Sequence, residues 1–407
     1  MPLRPCWVEI STSNLTENFH FLRSLAPPDA ELLAVVKADA YGHSLACCAP
    51  PLSRAGAKWL GVTSVEEGVA ARALCPEAQV LIMGGLFAGQ GAAIIEHRLT
   101  PAVWEHWQID ELEAAARRFG AGPRSVPVHL EIDTGMSRQG VTINDLAPGA
   151  LTSFLKRFTA ESPLLLEGVM THLFASDEAD GIHAAEQLRR LDASLARMTA
   201  VGMRAEWLSA GSSATLLSVQ AEPIAALAAR YGMKALLRPG LALYGVAPRF
   251  EPFDPPQVSA ARARLKPVLA WKTRVVSVRE IPAGTAVGYN GTFVATEPMR
   301  LALLAVGYAD GLDRRLGNRF SLLVRGQHAP IAGRISMDQT VIDVTEIPGV
   351  TPGDEVVILG SQGESAISAY DHADAAVTIP WEVFTRIGAR VRRIVVEPNG
   401  TVRAGSS

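Results

Sequence analysis

Eight short apolar segments, separated by stretches with helical periodicity, occupy this 407-residue chain up to residue 244. Several of them are continuously apolar, which is typical of parallel strands that are covered on both faces. The alternation predicts a (β/α)8 barrel, and a doubly wound open sheet is the alternative that the pattern leaves open. The predicted strands are 31–37, 59–63, 79–83, 100–104, 126–133, 166–171, 205–209 and 236–244.

Helical patterns fill most of the intervals between these strands, and the clearest run over 64–74, 106–119 and 183–201. Ser64, followed three residues later by Glu67, has the spacing of a capping box at the start of the first helix. The N-terminal part of the chain is therefore predicted to be an α/β structure.

The pattern changes near residue 248. Residues 248–267 contain five prolines and predict a linker, and a helix is predicted near 381–392. We therefore expect two domains, a barrel over 1–248 and a mostly-β domain over 249–407. The predicted strands of the second domain, separated by Gly/Pro turns, are 273–278, 301–306, 321–325, 340–344 and 355–359.

Composition argues against several classes of protein. Hydrophobic residues make up 48% of the chain and charged residues 19%, so a large core is available and disorder is not expected. The net charge of −3 favours neither a nucleic-acid nor an anionic-membrane partner. No segment approaches the ~20 apolar residues of a membrane span. The N-terminal sequence lacks the apolar run of a signal peptide, so a cytoplasmic protein is expected.

The cysteines and histidines do not indicate a metal site or a disulfide framework. Cys6, Cys47, Cys48 and Cys75 form no C-x-x-C pair and are predicted to be free, buried thiols. The histidines show no metal-ligand spacing, so we expect no metal.

The segment 34–44 reads AVVKADAYGHS, in which an apolar strand delivers Lys37 to its C-terminal end. Active sites of barrels lie at that end of the strands. A lysine that emerges from an apolar strand is a candidate for a lowered pKa and for Schiff-base chemistry. The alternative is a lysine that simply reaches solvent.

A second motif, AVGYADG at 305–311, lies in the predicted β domain. In this order, the two motifs resemble the cofactor-lysine segment and the catalytic-tyrosine segment of the alanine racemase family. The resemblance extends over essentially the whole chain. It implies interconversion of L-alanine and D-alanine with pyridoxal 5'-phosphate as cofactor, supplying D-alanine for peptidoglycan. It also implies a homodimer with shared active sites, in which the β domain of one subunit completes the barrel site of the other.

Racemisation removes a proton from one face of Cα and returns one to the other face, which two fixed bases do directly. The resemblance assigns Lys37 as the base for D-alanine and Tyr308 as the base for L-alanine. His172 is the counterpart of the residue credited with favouring the deprotonated tyrosine, and it belongs to the cofactor-binding set.

The remaining cofactor-binding residues also come from the resemblance. Arg238 matches the arginine that faces the pyridine nitrogen. Because arginine keeps its proton, that nitrogen would stay unprotonated, which should favour racemisation over transamination. Gly240 and Leu241 match backbone that approaches the phosphate, and Ser213 and Tyr41 match phosphate ligands. The serine also follows a strand in a turn of small residues, which is a good phosphate cradle.

On the substrate side, Arg138 matches the arginine that contacts the cofactor phenolate and the substrate carboxylate. The backbone N–H of Met337, in GRISMDQ, matches a second carboxylate contact. Many relatives carry a lysine, which can become carbamylated, at the position of Glu131. We suggest that Glu131 provides the negative charge that orients Arg138.

Trp381 is the largest departure from the family, since many relatives have a tyrosine there that reaches the phosphate. That tyrosine also limits the space beside the substrate, and indole is bulkier and lacks the hydroxyl. Racemisation of serine or of a broader set of amino acids therefore stays open as an alternative.

Two other classes of protein fit the sequence less well. Related decarboxylases of the same domain plan use a β-domain cysteine, but no cysteine follows Cys75, which argues against a decarboxylase. Non-catalytic pyridoxal-phosphate carriers resemble the barrel alone, so the predicted β domain argues against a carrier.

Overall fold

The structure is a computed structural model that describes residues 4–143, 149–218 and 220–396. In chain order, the strands are β1 Cys6–Ser11, β2 Glu31–Val35, β3 Trp59–Val62, β4 Gln79–Ile82, β5 Thr100–Val103, β6 Val126–Asp133, β7 Val141–Thr142, β8 Leu164–Met170, β9 Trp207–Ser209, β10 Lys234–Leu237, β11 Leu269–Ile281, β12 Ala286–Val287, β13 Phe293–Val294, β14 Met299–Leu304, β15 Ser321–Val324, β16 Gln327–Pro330, β17 Thr340–Asp343, β18 Glu355–Gln362, β19 Ser365–Ile367 and β20 Arg392–Val396.

The right-handed helices are α1 Thr12–Leu25, α2 Leu45–Arg54, α3 Val65–Leu74, α4 Gly91–Glu96, α5 His106–Arg118, α6 Ala150–Leu155, α7 Ile182–Ala200, α8 Ser213–Leu217, α9 Ala221–Arg230, α10 Pro256–Arg262, α11 Ala369–Ala376 and α12 Pro380–Thr385. Short 3₁₀ turns cover Leu241–Tyr244, Tyr289–Gly291, Tyr308–Asp310 and Arg314–Leu316. No helix in the described part of the chain combines the length and apolar character needed to cross a membrane.

The chain divides into two compact units. The barrel unit comprises Leu15–Ala40 and Cys48–Lys266. The β unit comprises Tyr41–Cys47, the described residues up to Asn14 and those from Pro267 onward. Strand β1 belongs to the β unit, since it pairs with β11 and β20. The predicted boundary between residues 248 and 249 stays a prediction.

The barrel unit confirms the (β/α)8 prediction over the open-sheet alternative. Strands β2 to β6 and β8 to β10 are parallel neighbours, and the pairings of β5 with β6 and of β10 with β2 close the ring. All eight predicted segments overlap one of these strands. The last segment shares only Leu236 and Leu237 with β10, because Pro239 has no N–H for the sheet and a 3₁₀ turn follows it.

Three ring side chains of the barrel strands pack against one another. The Trp59 ring makes edge-to-face contacts with His129 and Trp207, at centroid distances of 5.6 and 5.8 Å. Gly168, on β8, lies against the His129 ring, which a Cβ at that position would overlap. A glycine inside a strand is explained here by the close approach of a buried ring.

The β unit is a mostly-β structure, as predicted. Its main sheet has the order β16-β15-β18-β11-β1-β20, with β14 and β17 extending from β11 and β19 pairing with β18. All five predicted strands are present. The helix predicted near 381–392 is present but shorter: α12 spans Pro380–Thr385, and Arg392–Val396 forms a strand parallel to β1. The predicted linker also contains the short helix α10.

We expect Gly168→Ala to lower the free energy of unfolding by about 1–3 kcal/mol, because the new methyl group overpacks the His129 ring. The urea midpoint of the purified protein measures this change. Gly122→Ala is the matched control, since an added Cβ there meets open space. Equal midpoints for both variants would show that the ring moves aside without cost.

Candidate active site

Lys37 is followed by a turn of left-handed backbone directly after β2. Ala38, Asp39, Ala40 and Tyr41 have φ values of 52°, 52°, 55° and 55°. Left-handed helix costs L-residues roughly 1–2 kcal/mol each. Such a run persists only where its surroundings fix it.

Glu67 fixes the start of this turn. Its Oε1 accepts a hydrogen bond from Ala38 N–H at 2.7 Å, and its Oε2 accepts one from Thr63 N–H at 2.8 Å. The expected capping box is half present, since Ser64 Oγ accepts from Glu67 N–H at 3.3 Å. The carboxylate ties the segment after Lys37 to the start of α3, a role that the sequence pattern does not reveal.

The amine of Lys37 is half-buried, and its pKa is lowered. Burial is the largest cause, followed by the positive charges of Arg138 and Arg238, while Glu67 opposes the shift. A lowered pKa increases the fraction of neutral amine, which is the form that attacks a carbonyl group or accepts a proton.

Arg238 is a buried cation at the carboxyl end of β10, with only 4% of its surface exposed. Its Nη1 donates to Ser209 Oγ at 2.7 Å, and its Nη2 donates to the Thr171 carbonyl at 2.8 Å and to His172 Nδ1 at 3.3 Å. Burial lowers the pKa of Arg238 to about 10, so the guanidinium stays charged near neutral pH.

His172 is neutral in this arrangement. Its Nδ1 accepts a hydrogen bond from Arg238, which leaves the ring proton on Nε2. The pKa of His172 is lowered to about 3, mainly by burial and also by the charges of Arg238, Arg138 and Lys37. The positive charge at this point of the barrel therefore resides on Arg238.

Ser213 lies where β9 and β10 end. Its Oγ accepts from the backbone N–H groups of Gly240 and Ala242, at 3.0 and 3.2 Å. Leu241 is buried at the start of the 3₁₀ turn between them. A hydroxyl and backbone N–H groups gathered at strand ends are suited to an oxyanion such as a phosphate.

Glu131 is a buried carboxylate at the end of β6, and burial raises its pKa to about 7. Its Oε2 accepts a hydrogen bond from Gln139 Nε2 at 2.6 Å, and the same amide donates to the Met83 carbonyl at 2.9 Å. Glu131 thus holds the residue next to Arg138, whose side chain is exposed. Gln139 lies in the same segment as Glu131 and Arg138, but nothing in the sequence assigns it a role.

The other predicted site residues belong to the β unit. Tyr308 and Met337 are 41% and 54% exposed. The Met337 segment and Tyr289 line a cavity of about 390 Å³. Tyr41 is buried, and burial raises the pKa of its phenol.

The barrel unit therefore brings together three cations, Lys37, Arg138 and Arg238, whose charges act on one another and on His172. It also places Ser213 against the backbone around Leu241. An amine with a lowered pKa, a fixed cation and groups suited to an oxyanion are chemically able to bind a phosphorylated carbonyl compound.

Comparison with known proteins agrees with this chemistry. The models of the alanine racemase N-terminal and C-terminal domains match residues 10–248 and 268–395. The alanine racemase of Halothermothrix orenii is 36% identical over 390 residues, which cover 96% of either chain.

Two crystal structures resemble this chain closely. Alanine racemase from the D-cycloserine producer Streptomyces lavendulae has a TM-score of 0.85 and 32% identity, with 97% of this chain and 98% of that one covered. Alanine racemase from Bartonella henselae, with covalently bound pyridoxal phosphate, has a TM-score of 0.81 and 25% identity, with 96% and 99% covered. Both domain models and full-length relatives thus match, and the chain belongs to the alanine racemase family.

Proposed function

We propose that this protein interconverts L-alanine and D-alanine, with pyridoxal 5'-phosphate held on Lys37. The observation that carries the proposal is the half-buried amine of Lys37, with its lowered pKa, beside the buried cation Arg238. The test is formation of D-alanine from L-alanine by purified protein with added cofactor, read with a D-specific oxidase. L-serine in the same assay tests the alternative that Trp381 leaves open.

The barrel residues fit this cofactor. Lys37 offers the amine for covalent attachment, and Ser213 with the backbone of Gly240 and Leu241 would hold the phosphate. Arg238 would donate to the pyridine nitrogen, because its pKa of about 10 keeps it protonated. When bound, the cofactor supplies an electron sink that makes the α-proton of the amino acid acidic.

Two side chains would then move the α-proton. Lys37, with its lowered pKa, takes a proton from or gives one to one face of Cα. The Tyr308 hydroxyl does the same at the opposite face. Arg138 would orient the substrate carboxylate. His172 stays neutral while Arg238 donates to its Nδ1, so it can donate from Nε2.

Lys37→Ala should abolish both cofactor retention and racemisation. Tyr308→Phe should keep the cofactor but slow racemisation about 10²–10⁴-fold, because one proton-transfer group is lost. Deuterated substrates followed by NMR in water separate the two bases: Tyr308→Phe should still exchange the α-deuteron of D-alanine and no longer that of L-alanine.

Lys58→Ala and Tyr231→Phe are matched controls and should keep wild-type activity. Lys58 is an exposed lysine, and Tyr231 is a surface tyrosine bonded to Asp192. An active Lys37→Ala protein would refute the assignment of the cofactor lysine.

We also propose a homodimer in which the β unit of one subunit completes the barrel site of the other. The exposure of Tyr308, Met337 and Tyr289 on the β unit supports this arrangement. Tyr289 and Met337 line the same cavity, and contiguous exposed apolar surface marks interaction sites, whereas single exposed side chains do not.

Complementation tests the shared site. A heterodimer of the Lys37→Ala and Tyr308→Phe chains, isolated through two different tags after co-expression, should regain about half of the wild-type activity, since one of its two sites is intact. An inactive heterodimer would show that a single chain supplies both bases.

Glu131 should give the enzyme a pH dependence. With a pKa of about 7, Glu131 is mostly protonated at pH 6 and ionised at pH 8.5. The ionised form balances the charges of Arg238 and Arg138 and accepts more strongly from Gln139. Glutamine mimics the protonated form, so Glu131→Gln should lower kcat/KM about 10-fold at pH 8.5 and little at pH 6.

The measurement is the pH profile of kcat/KM for wild-type and variant protein. Glu186→Gln is the control, because Glu186 is paired with two surface arginines that hold its pKa at about 2 and keep it ionised throughout. A loss at Glu131→Gln that is equal at both pH values would contradict the titration of this carboxylate.

A further inference from the structure

Two loops of the β unit carry the groups proposed to act on the substrate. The Tyr308 loop spans 305–311, and the Met337 loop spans 335–340. Tyr308 N–H donates to the Ser336 carbonyl and Ala309 N–H to the Met337 carbonyl, both at 3.0 Å. The loops approach so closely at Gly307 that a Cβ there would overlap the backbone of the Met337 loop. A displacement of either loop therefore moves the other.

A buried carboxylate anchors the Tyr308 loop. The Asp310 side chain has no exposed surface. Its Oδ2 accepts from Gly307 N–H at 2.9 Å and from Arg4 Nη2 at 2.7 Å, and its Oδ1 accepts from Arg4 Nη1 and from Arg390 Nε, the latter at 2.7 Å. Asp310 thereby closes the turn that begins at Tyr308.

Burial alone would raise the pKa of Asp310, but the hydrogen bonds from Arg4 and Arg390 offset burial and leave that pKa below its ordinary value. The carboxylate is therefore ionised at every pH where such an enzyme works, and both arginines keep their partner.

Arg390 also reaches the second loop. While its Nε donates to Asp310 Oδ1, its Nη2 donates to Asp338 Oδ1 at 2.7 Å. One planar guanidinium thus joins a residue of the Tyr308 loop to a residue of the Met337 loop. Because the donors of arginine are fixed in one plane, the bridge sets a distance and an angle, which a lysine would not. Arg4 supports it through a longer bond to the Asp338 carbonyl, at 3.4 Å.

We propose that Arg390 is a positioning residue for racemisation, which holds the Tyr308 hydroxyl and the Met337 N–H in register through its bridge between Asp310 and Asp338. This inference rests on the proposed function. Arg390 acts through the two loops and does not itself take part in proton transfer. Misplacement of a reacting group by about 1 Å from such a change can cost 10²-fold in rate.

The test compares Arg390→Gln and Arg390→Lys with the wild-type holoenzyme. Arg390→Gln should lower kcat/KM for L-alanine about 10- to 100-fold, with part of the loss in KM, because the Met337 loop also shifts. Arg390→Lys keeps the charge beside Asp310 but not the fork, so its loss should be intermediate. Arg325→Gln, which breaks an exposed ion pair with Asp354 elsewhere in the unit, should change neither constant.

Primary deuterium isotope effects separate positioning from general loosening of the fold. If Tyr308 is displaced, its proton transfer limits the rate more strongly. The effect with 2-deuterated L-alanine should then rise in both Arg390 variants, while the effect with 2-deuterated D-alanine, whose deuteron Lys37 removes, should fall or stay constant. The absorption of the bound cofactor should not change.

Isotope effects that stay at wild-type values in both directions, in a variant with reduced kcat/KM, would overturn the positioning role. If Arg390→Gln does not fold, the same comparison on Arg390→Lys decides the question. A wild-type protein that does not racemise alanine would instead refute the proposed function, so the two failures are distinguishable.

Discussion

The candidate active site depends on one buried charge, the guanidinium of Arg238. A cation removed from water is costly unless its donors are satisfied, and Arg238 meets this condition through Ser209, Thr171 and His172. The same charge lowers the pKa of Lys37 and of His172, and it opposes the effect of burial on Glu131. Together with burial, which is the largest cause of all three shifts, this cation favours a neutral imidazole and lowers the pKa values of the amine and of the carboxyl group. Removing Arg238 would therefore shift three pKa values together, in addition to breaking its hydrogen bonds.

The position of Lys37 is fixed separately from the charges of the site. The left-handed turn that begins after Lys37 is unfavourable by itself, and the carboxylate of Glu67 is one of the contacts that hold it. Because Glu67 also bonds Thr63 N–H, the lysine end of β2 is tied to the segment that follows β3. The strain is thereby placed directly after the lysine that the proposed chemistry requires to be fixed.

The sequence predicts these features unevenly, for a physical reason. The eight barrel strands and the position of Lys37 at a strand end are readable because short apolar runs that alternate with helical patterns are typical of buried parallel strands. Glu67, Gln139 and Arg390 are not readable, because a polar residue that bonds a distant backbone or side-chain group leaves no periodic trace. The helix near 381–392 was predicted too long for a related reason: the end of the predicted range meets residues 392–396, which are extended because they pair with β1 at the other end of the chain.

Arg238 and Arg390 show that the arginine side chain can serve two physical purposes, depending on how deeply it is buried. Arg238 lies in a low-dielectric interior, where its charge acts strongly on its neighbours. Arg390 is 41% exposed, so solvent screens its charge and the ion pair to the exposed Asp338 adds little stability. Arg390 contributes mainly through its geometry. Its planar guanidinium bonds the buried carboxylate of Asp310, which would be costly to leave without a partner. In the barrel unit arginine therefore sets protonation, and in the β unit it sets the relative position of two loops.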